Sequence, residues 1–334
     1  MACVSCKSEK TEGENPFFSA WETPYGVPPF DKIRAEHFLP ALERGMSLHD
    51  AEIDAIASNN DDPTFGNVIE AYDAAGGMLA RTELVFGMLC AAENTPELQA
   101  LQERAMPLLA AHYDRILLDE RLFARVKELY DRRGALDLDD VQLRLLEKTY
   151  RRFVRAGALL DAGRKARLKE INGELALAAV KFGNNLLAEN NRFEMELTAD
   201  EMAGLPSDVQ ELAREKARER GKKKDTGIFT LHKPSLIPFL TYSSDRGLRE
   251  RIYKAYLNRG NNGDEYDNKQ LINDFIRLRT EKAHLLGYPS YAAYVVDDEM
   301  AGTTDAVYEL LEGVWTPALE RAKGELSELE ELFR

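Results

Sequence analysis

The chain is poor in the residues that usually reveal a metal or a nucleophile. Of its 334 positions, five are histidine and three are cysteine. A helical zinc pair needs two imidazoles at i and i+4, on one face of the helix. His37, His49, His112, His232 and His284 offer no such spacing, and no HExxH occurs. Each reads alone as a surface or half-buried polar residue. There is no GxSxG nucleophile elbow and no phosphate-binding P-loop. The stretch "GNNGDEYDN" at 260–268 is acidic and glycine-rich but lacks the residue order of a calcium loop, so it reads as a connection before a helix. Basic residues are outnumbered, 44 against 58, for a net charge of −14, which disfavours nucleic acid as a partner. No uninterrupted apolar run approaches the roughly 18 residues of a membrane span, and the N-terminus shows no apolar leader.

Cys3, Cys6 and Cys90 do not build a disulfide framework. Cys3 and Cys6 form a single CxxC with no second pair and no neighbouring histidine, which argues against zinc. The absence of a preceding strand argues against a redox motif. Residues 1–14 read as a disordered tail. Alternatively, "ACVSCKSEKTEGEN" is the polar tether of a bacterial lipoprotein acylated at Cys3 or Cys6.

What the chain does have is helical periodicity. The hydrophobic fraction of 44% allows a sizeable core. In "HFLPALERGMSLHDAEIDAIA" the apolar residues Phe38, Leu39, Leu42, Met46, Ile53 and Ile56 fall largely on one stripe. "NVIEAYDAAGGMLARTELVFGMLCAA" predicts a long helix weakened at Gly76-Gly77. Thr95 before Pro96 is an N-cap with proline in the first turn, Pro107 should kink the helix that follows, and Asp119 caps the next. Long helices are expected over about 138–158, 162–191, 245–259, 266–286 and 304–332, the last containing Pro317. Only "RFEMELT" and "GIFTLH" read as strands, pairing as a small surface ribbon. Between them, Ser207 and Gln210 suggest a capping box, and "REKARERGKKK" reads as a solvated charged face or an anion-binding patch. The fold class is therefore all-α, with long antiparallel and kinked helices and a small two-stranded β ribbon. No repeat of 20–50 residues suggests a solenoid.

"LRTEKAHLLGYPSYAAYVVDDEMA" stands out between two long charged helices. Leu285 and Leu286 can pack inward, Gly287 can take the left-handed stop, and Tyr288, Tyr291 and Tyr294 can lock the next short helix against its neighbour. Core packing is one role for the tyrosines. Facing a substrate channel is the other.

Taken in order, "NPFF", "TPYGVPPFDKI", "HFLPALERGM", "EIDAIASN", "PTFGNVIEA", "FVRAGALL", "ARLKEIN", "DEMAGLP", "SSDRGLRERIYKAYLNRG" and the 267–301 segment resemble the N-terminal half of the thimet oligopeptidase family of zinc metallopeptidases, notably its bacterial peptidyl-dipeptidase (dipeptidyl carboxypeptidase) branch. The likeness runs from Asn15 to Arg334. It implies that residues 15–334 form one lobe of a two-lobed helical peptidase and line one wall of a narrow channel for oligopeptides. The family holds zinc through HExxH and a downstream glutamate in the C-terminal lobe, where the HExxH glutamate is the base. Those motifs have no matching positions here, so no catalytic, cofactor-binding or metal residue is assigned, and the chain alone is expected to be inactive. The implied activity of the whole enzyme is release of C-terminal dipeptides. The alternatives are cleavage of internal bonds in short peptides and a non-catalytic helical peptide-binding protein. The implied partners are oligopeptide substrates and the C-terminal catalytic lobe. The tether reading places the protein in the bacterial envelope or periplasm, and a chain without a lipid anchor would be cytoplasmic.

Overall fold

The computed structural model describes residues 15–223 and 225–334. The readings placed on residues 1–14, Cys3 and Cys6 among them, lie outside those residues, as does Lys224. The chain is all-α with one two-stranded ribbon, as its periodicity predicts.

The first layer is built from α1 (Ala35–Ala57), α3 (Gly77–Ala92) and α4 (Pro96–Leu117). Phe17, Phe38, Leu42, Leu79, Phe86 and Leu109 bury together between them. The Phe38 ring centroid lies 5.3 Å from Phe17 and 5.1 Å from Phe86, so aromatic packing closes this core. The long helix expected across Gly76-Gly77 is broken there rather than weakened. A π-helical turn at Phe65–Glu70 and the short α2 (Ala71–Ala74) end at Gly76, whose φ of +79° no β-carbon would tolerate cheaply. Phe65–Ala92 reaches the length and mean hydropathy of a candidate membrane span despite having no unbroken apolar run, but Leu79, Val85, Phe86 and Cys90 are buried in the first core.

The second core joins the end of α1 to α5 (Glu120–Asp131) and α6 (Asp140–Arg155) through Ile53, Val68, Leu122, Leu129, Leu146 and Phe153. The caps at its helix starts follow the local rule. Thr95 Oγ1 accepts from Leu98 N, and Asp119 accepts from Arg121 N and Leu122 N. Pro107 lies inside α4 without ending it.

The 31-residue α7 (Ala162–Arg192), about 46 Å long at 1.5 Å per residue, packs on α4 and on α11 (Lys269–Leu285). At its far end lies a third core. Strand β1 (Met195–Leu197) pairs antiparallel with β2 (Gly227–Phe229), Met195 opposite Phe229. The expected surface ribbon is in fact largely covered. Met195, Leu197 and Phe229 are buried against Val209, Phe239 and Ile252 from α8 (Ser207–Glu219), α9 (Lys233–Tyr242) and α10 (Arg246–Leu257). The Ser207–Gln210 capping box does not form. Pro206 occupies the cap, Ser207 is already helical, and Gln210 donates backward to the Leu205 carbonyl at 2.8 Å. The basic end of this region is a paired face, with Arg220 on Glu194 at 2.9 Å and Lys222 on Glu196 at 3.0 Å. The 260–268 connection is tied down by the buried Glu189, which accepts from Gly260 N and Asn262 Nδ2.

The chain closes with α12 (Tyr291–Val296) and the 29-residue α13 (Thr304–Leu332). No residue of α13 is buried. Leu310, Leu311, Val314 and Trp315 are all more than half exposed.

Candidate site: a polar cavity beside the tyrosine cluster

Helix α11 ends as its sequence predicts. Gly287 takes φ +85°, its amide reaches the His284 carbonyl at 3.0 Å, and Tyr288 N reaches Ala283 O at 2.9 Å. Ser290 then caps α12 by accepting from Ala293 N at 3.1 Å. This stop-and-restart sets Tyr294 edge-on to Tyr288, centroids 5.2 Å apart, and 5.7 Å from Tyr291. The three rings are half-buried, as are Leu285 and Leu286. The cluster is thus half-buried packing, of which Tyr294 lines a cavity.

An ionic clamp holds that cluster to α6. The Arg155 guanidinium lies 4.5 Å over the Tyr294 ring, donates to Asp297 Oδ2 at 2.6 Å, and donates to the Tyr294 carbonyl at 2.7 Å. Tyr288 Oη donates to the same Asp297 oxygen at 2.9 Å, and Arg151 pairs with it at 3.1 Å. Burial alone would raise the Asp297 carboxyl, but hydrogen bonds from Arg151, Tyr288 and Arg155 hold it below its ordinary value.

Behind the clamp lies a cavity of about 360 Å³ among α4, α6, α7, α11 and α12, with Asp114, Arg152, Arg155, Asn172, Lys282 and Tyr294 on its wall. Asn172 bridges its two half-buried charges. Its amide nitrogen donates to Asp114 Oδ1 at 2.7 Å, and its amide oxygen accepts from Lys282 Nζ at 2.7 Å. Burial raises the Asp114 carboxyl and lowers the Lys282 ammonium, so each charge is held at a desolvation cost that its neighbours only partly offset.

A second polar cluster lies at the junction of α1 and α4. His112 Nε2 and His49 Nδ1 are 3.0 Å apart, and both rings are buried, where the sequence suggested isolated surface or half-buried histidines. Burial lowers both imidazoles, His112 to about 4, against the opposing pull of Asp50, and of Glu52 on His49. Nearby, Tyr113 Oη donates to Glu83 at 2.5 Å.

The zinc implied by the family resemblance does not fit these residues. The two histidines point ring nitrogens at each other at hydrogen-bond distance, which leaves no room for an ion between them. Among the described residues, no group of three or more His, Cys, Asp or Glu is arranged to hold a metal.

The comparisons bear out the resemblance. Residues 239–334 match Peptidase family M3. The chain is 36% identical to a dipeptidyl carboxypeptidase of Escherichia coli over 95% of its own length and 46% of that protein. It is 30% identical to a probable cytosolic oligopeptidase A of Arabidopsis thaliana over 94% of its length and 45% of that protein. It is 28% identical to oligopeptidase A of Escherichia coli over 92% of its length and 46% of that protein. The chain therefore spans about half the length of the curated relatives it matches.

Proposed function

We propose, from the family M3 segment at residues 239–334 and the likeness to M3 peptidases along nearly the whole chain, that these residues form the N-terminal lobe of a zinc metallopeptidase that releases C-terminal dipeptides from oligopeptides. The observation that carries this reading is the 36% identity to a dipeptidyl carboxypeptidase over 95% of the chain. Zinc and the catalytic base would come from a C-terminal lobe. The contribution of the present residues is confinement: the tyrosine cluster and its clamp would form part of one side of a channel for extended peptides. The uncovered apolar face of α13 supports the reading, because a helix with Leu310, Leu311, Val314 and Trp315 facing water is built to be covered.

The oligopeptidase A relatives, at 28 to 30% identity, keep cleavage of internal bonds as a second reading. Mass spectrometry of products from blocked oligopeptides tests both. The chain should release nothing by itself, with or without zinc, and should yield dipeptides when combined with the complementary catalytic segment. Zinc-dependent cleavage by residues 1–334 alone would sink the lobe reading. Internal cuts by the combination would favour the second reading.

A further inference from the structure

The cavity beside the tyrosine cluster is cationic in a particular way. Arg155 is consumed by Asp297 and the Tyr294 carbonyl, and Asp298 is consumed by Lys148 and Arg151. What remains facing the cavity is Arg152, Lys282 and Asp114. Lys282 Nζ donates to the neutral Asn172 amide and lies 6.0 Å from the Tyr294 ring centroid, and Asp114 is held by that same amide. Arg152 is exposed, and among the described residues its guanidinium makes no hydrogen bond or ion pair. Two cations from two helices, α6 and α11, therefore face one carboxylate. Leu117, Ala156 and the Tyr294 ring supply an apolar strip beside them.

We propose that this cavity is a binding site for a small organic carboxylate, with Arg152 and Lys282 taking the carboxylate and Tyr294 and Leu117 taking the hydrocarbon body. A guanidinium offers two parallel donors that match a planar carboxylate, and a desolvated ammonium gains more from an anion than a solvated one does. A single negative charge suits the excess. A phosphate dianion would meet Asp114 on one side and Asp298 on the other, and its three oxygens would find no third free donor. The volume of about 360 Å³ is in the range of a small-ligand pocket and admits a single-ring acid. The inference does not depend on the peptidase reading, because it concerns binding and not cleavage.

The test is isothermal titration of the 334-residue chain with 3-phenylpropionate, its neutral amide and inorganic phosphate, at constant ionic strength. The acid should bind at least about tenfold more tightly than the amide and than phosphate. Arg152→Gln and Lys282→Met should each weaken the acid by about tenfold or more and leave the amide unchanged. Arg152 is exposed, so its variant should fold normally and decides the matter if Lys282→Met does not. No binding of the acid, equal binding of acid and amide, phosphate as tight as the acid, or an unchanged Arg152→Gln affinity would each overturn the proposal.

Discussion

His49 and His112 meet at 3.0 Å although 63 positions separate them in the chain. Both imidazoles are lowered by burial, so between their folded values and the unfolded value near 6.5 the unfolded chain binds more protons. Stability is then fully present above about pH 6.5 and falls as pH drops toward about 4. His112 alone should account for at most about 3 kcal/mol of that loss. Urea unfolding between pH 8 and pH 5 should show the decline, and His112→Gln should flatten it. An unchanged slope in the variant would assign the decline to other groups. Gly76 sits against the same pair, and a β-carbon there would lie 2.9 Å from the His49 ring at a φ of +79°. Gly76→Ala should therefore cost about 2 kcal/mol or more, read as a lower denaturation midpoint with an unchanged slope. Neither the pair nor the Glu52 contact to Gly76 N at 2.7 Å could be seen in the sequence, because both join helices that fold back from a distance. The glycine itself was visible, but only as a weak point.

The elements whose ends depend on neighbours three or four residues away were readable. Thr95, Asp119 and Gly287 act through their own turns, so their local chemistry determines the outcome. Ser207 failed because a proline before it supplied the extended cap geometry first. The ribbon was legible as two strands, but its covering was not, since Phe239 and Ile252 come from helices later in the chain. Helix α12 gives the sharpest element-scale prediction. At six residues it is too short to persist without partners, and Asp297 receives Arg155, Arg151 and Tyr288 at its end. Asp297→Ala leaves the mostly buried Arg155 with the Tyr294 ring, the Tyr294 carbonyl and the Tyr288 hydroxyl at 3.4 Å. Hydrogen exchange at 291–296 should quicken by about tenfold or more, while amides of α1 keep their protection. Equal loosening of both would show that the clamp serves the whole chain rather than α12.

At the scale of the molecule, the three cores and the cavity could not be read as groupings, because residues from Asp114 to Tyr294 meet only after α7 has laid α11 beside α4. The resemblance to the family was legible in its ordered motifs. Helix α13 provides the test of assembly. Trp315 is 64% exposed, so its emission should be that of indole in water and readily quenched by acrylamide. Binding of a catalytic lobe over this face should shift the emission to the blue and protect it. If the mixture cleaves peptides while Trp315 stays fully quenchable, the proposed lobe contact does not involve this face.

Cys90 lies in the first core at 7% exposure, its thiol pushed up by burial to about 11. A thiol with so little thiolate at neutral pH and no path to reagent is inert until the helices around it part. Its alkylation, followed on the Cys90 peptide by mass, therefore acts as a clock for the opening of α1, α3 and α4. The slower it runs when a ligand is added, the more of that ligand's binding energy is reaching these three helices.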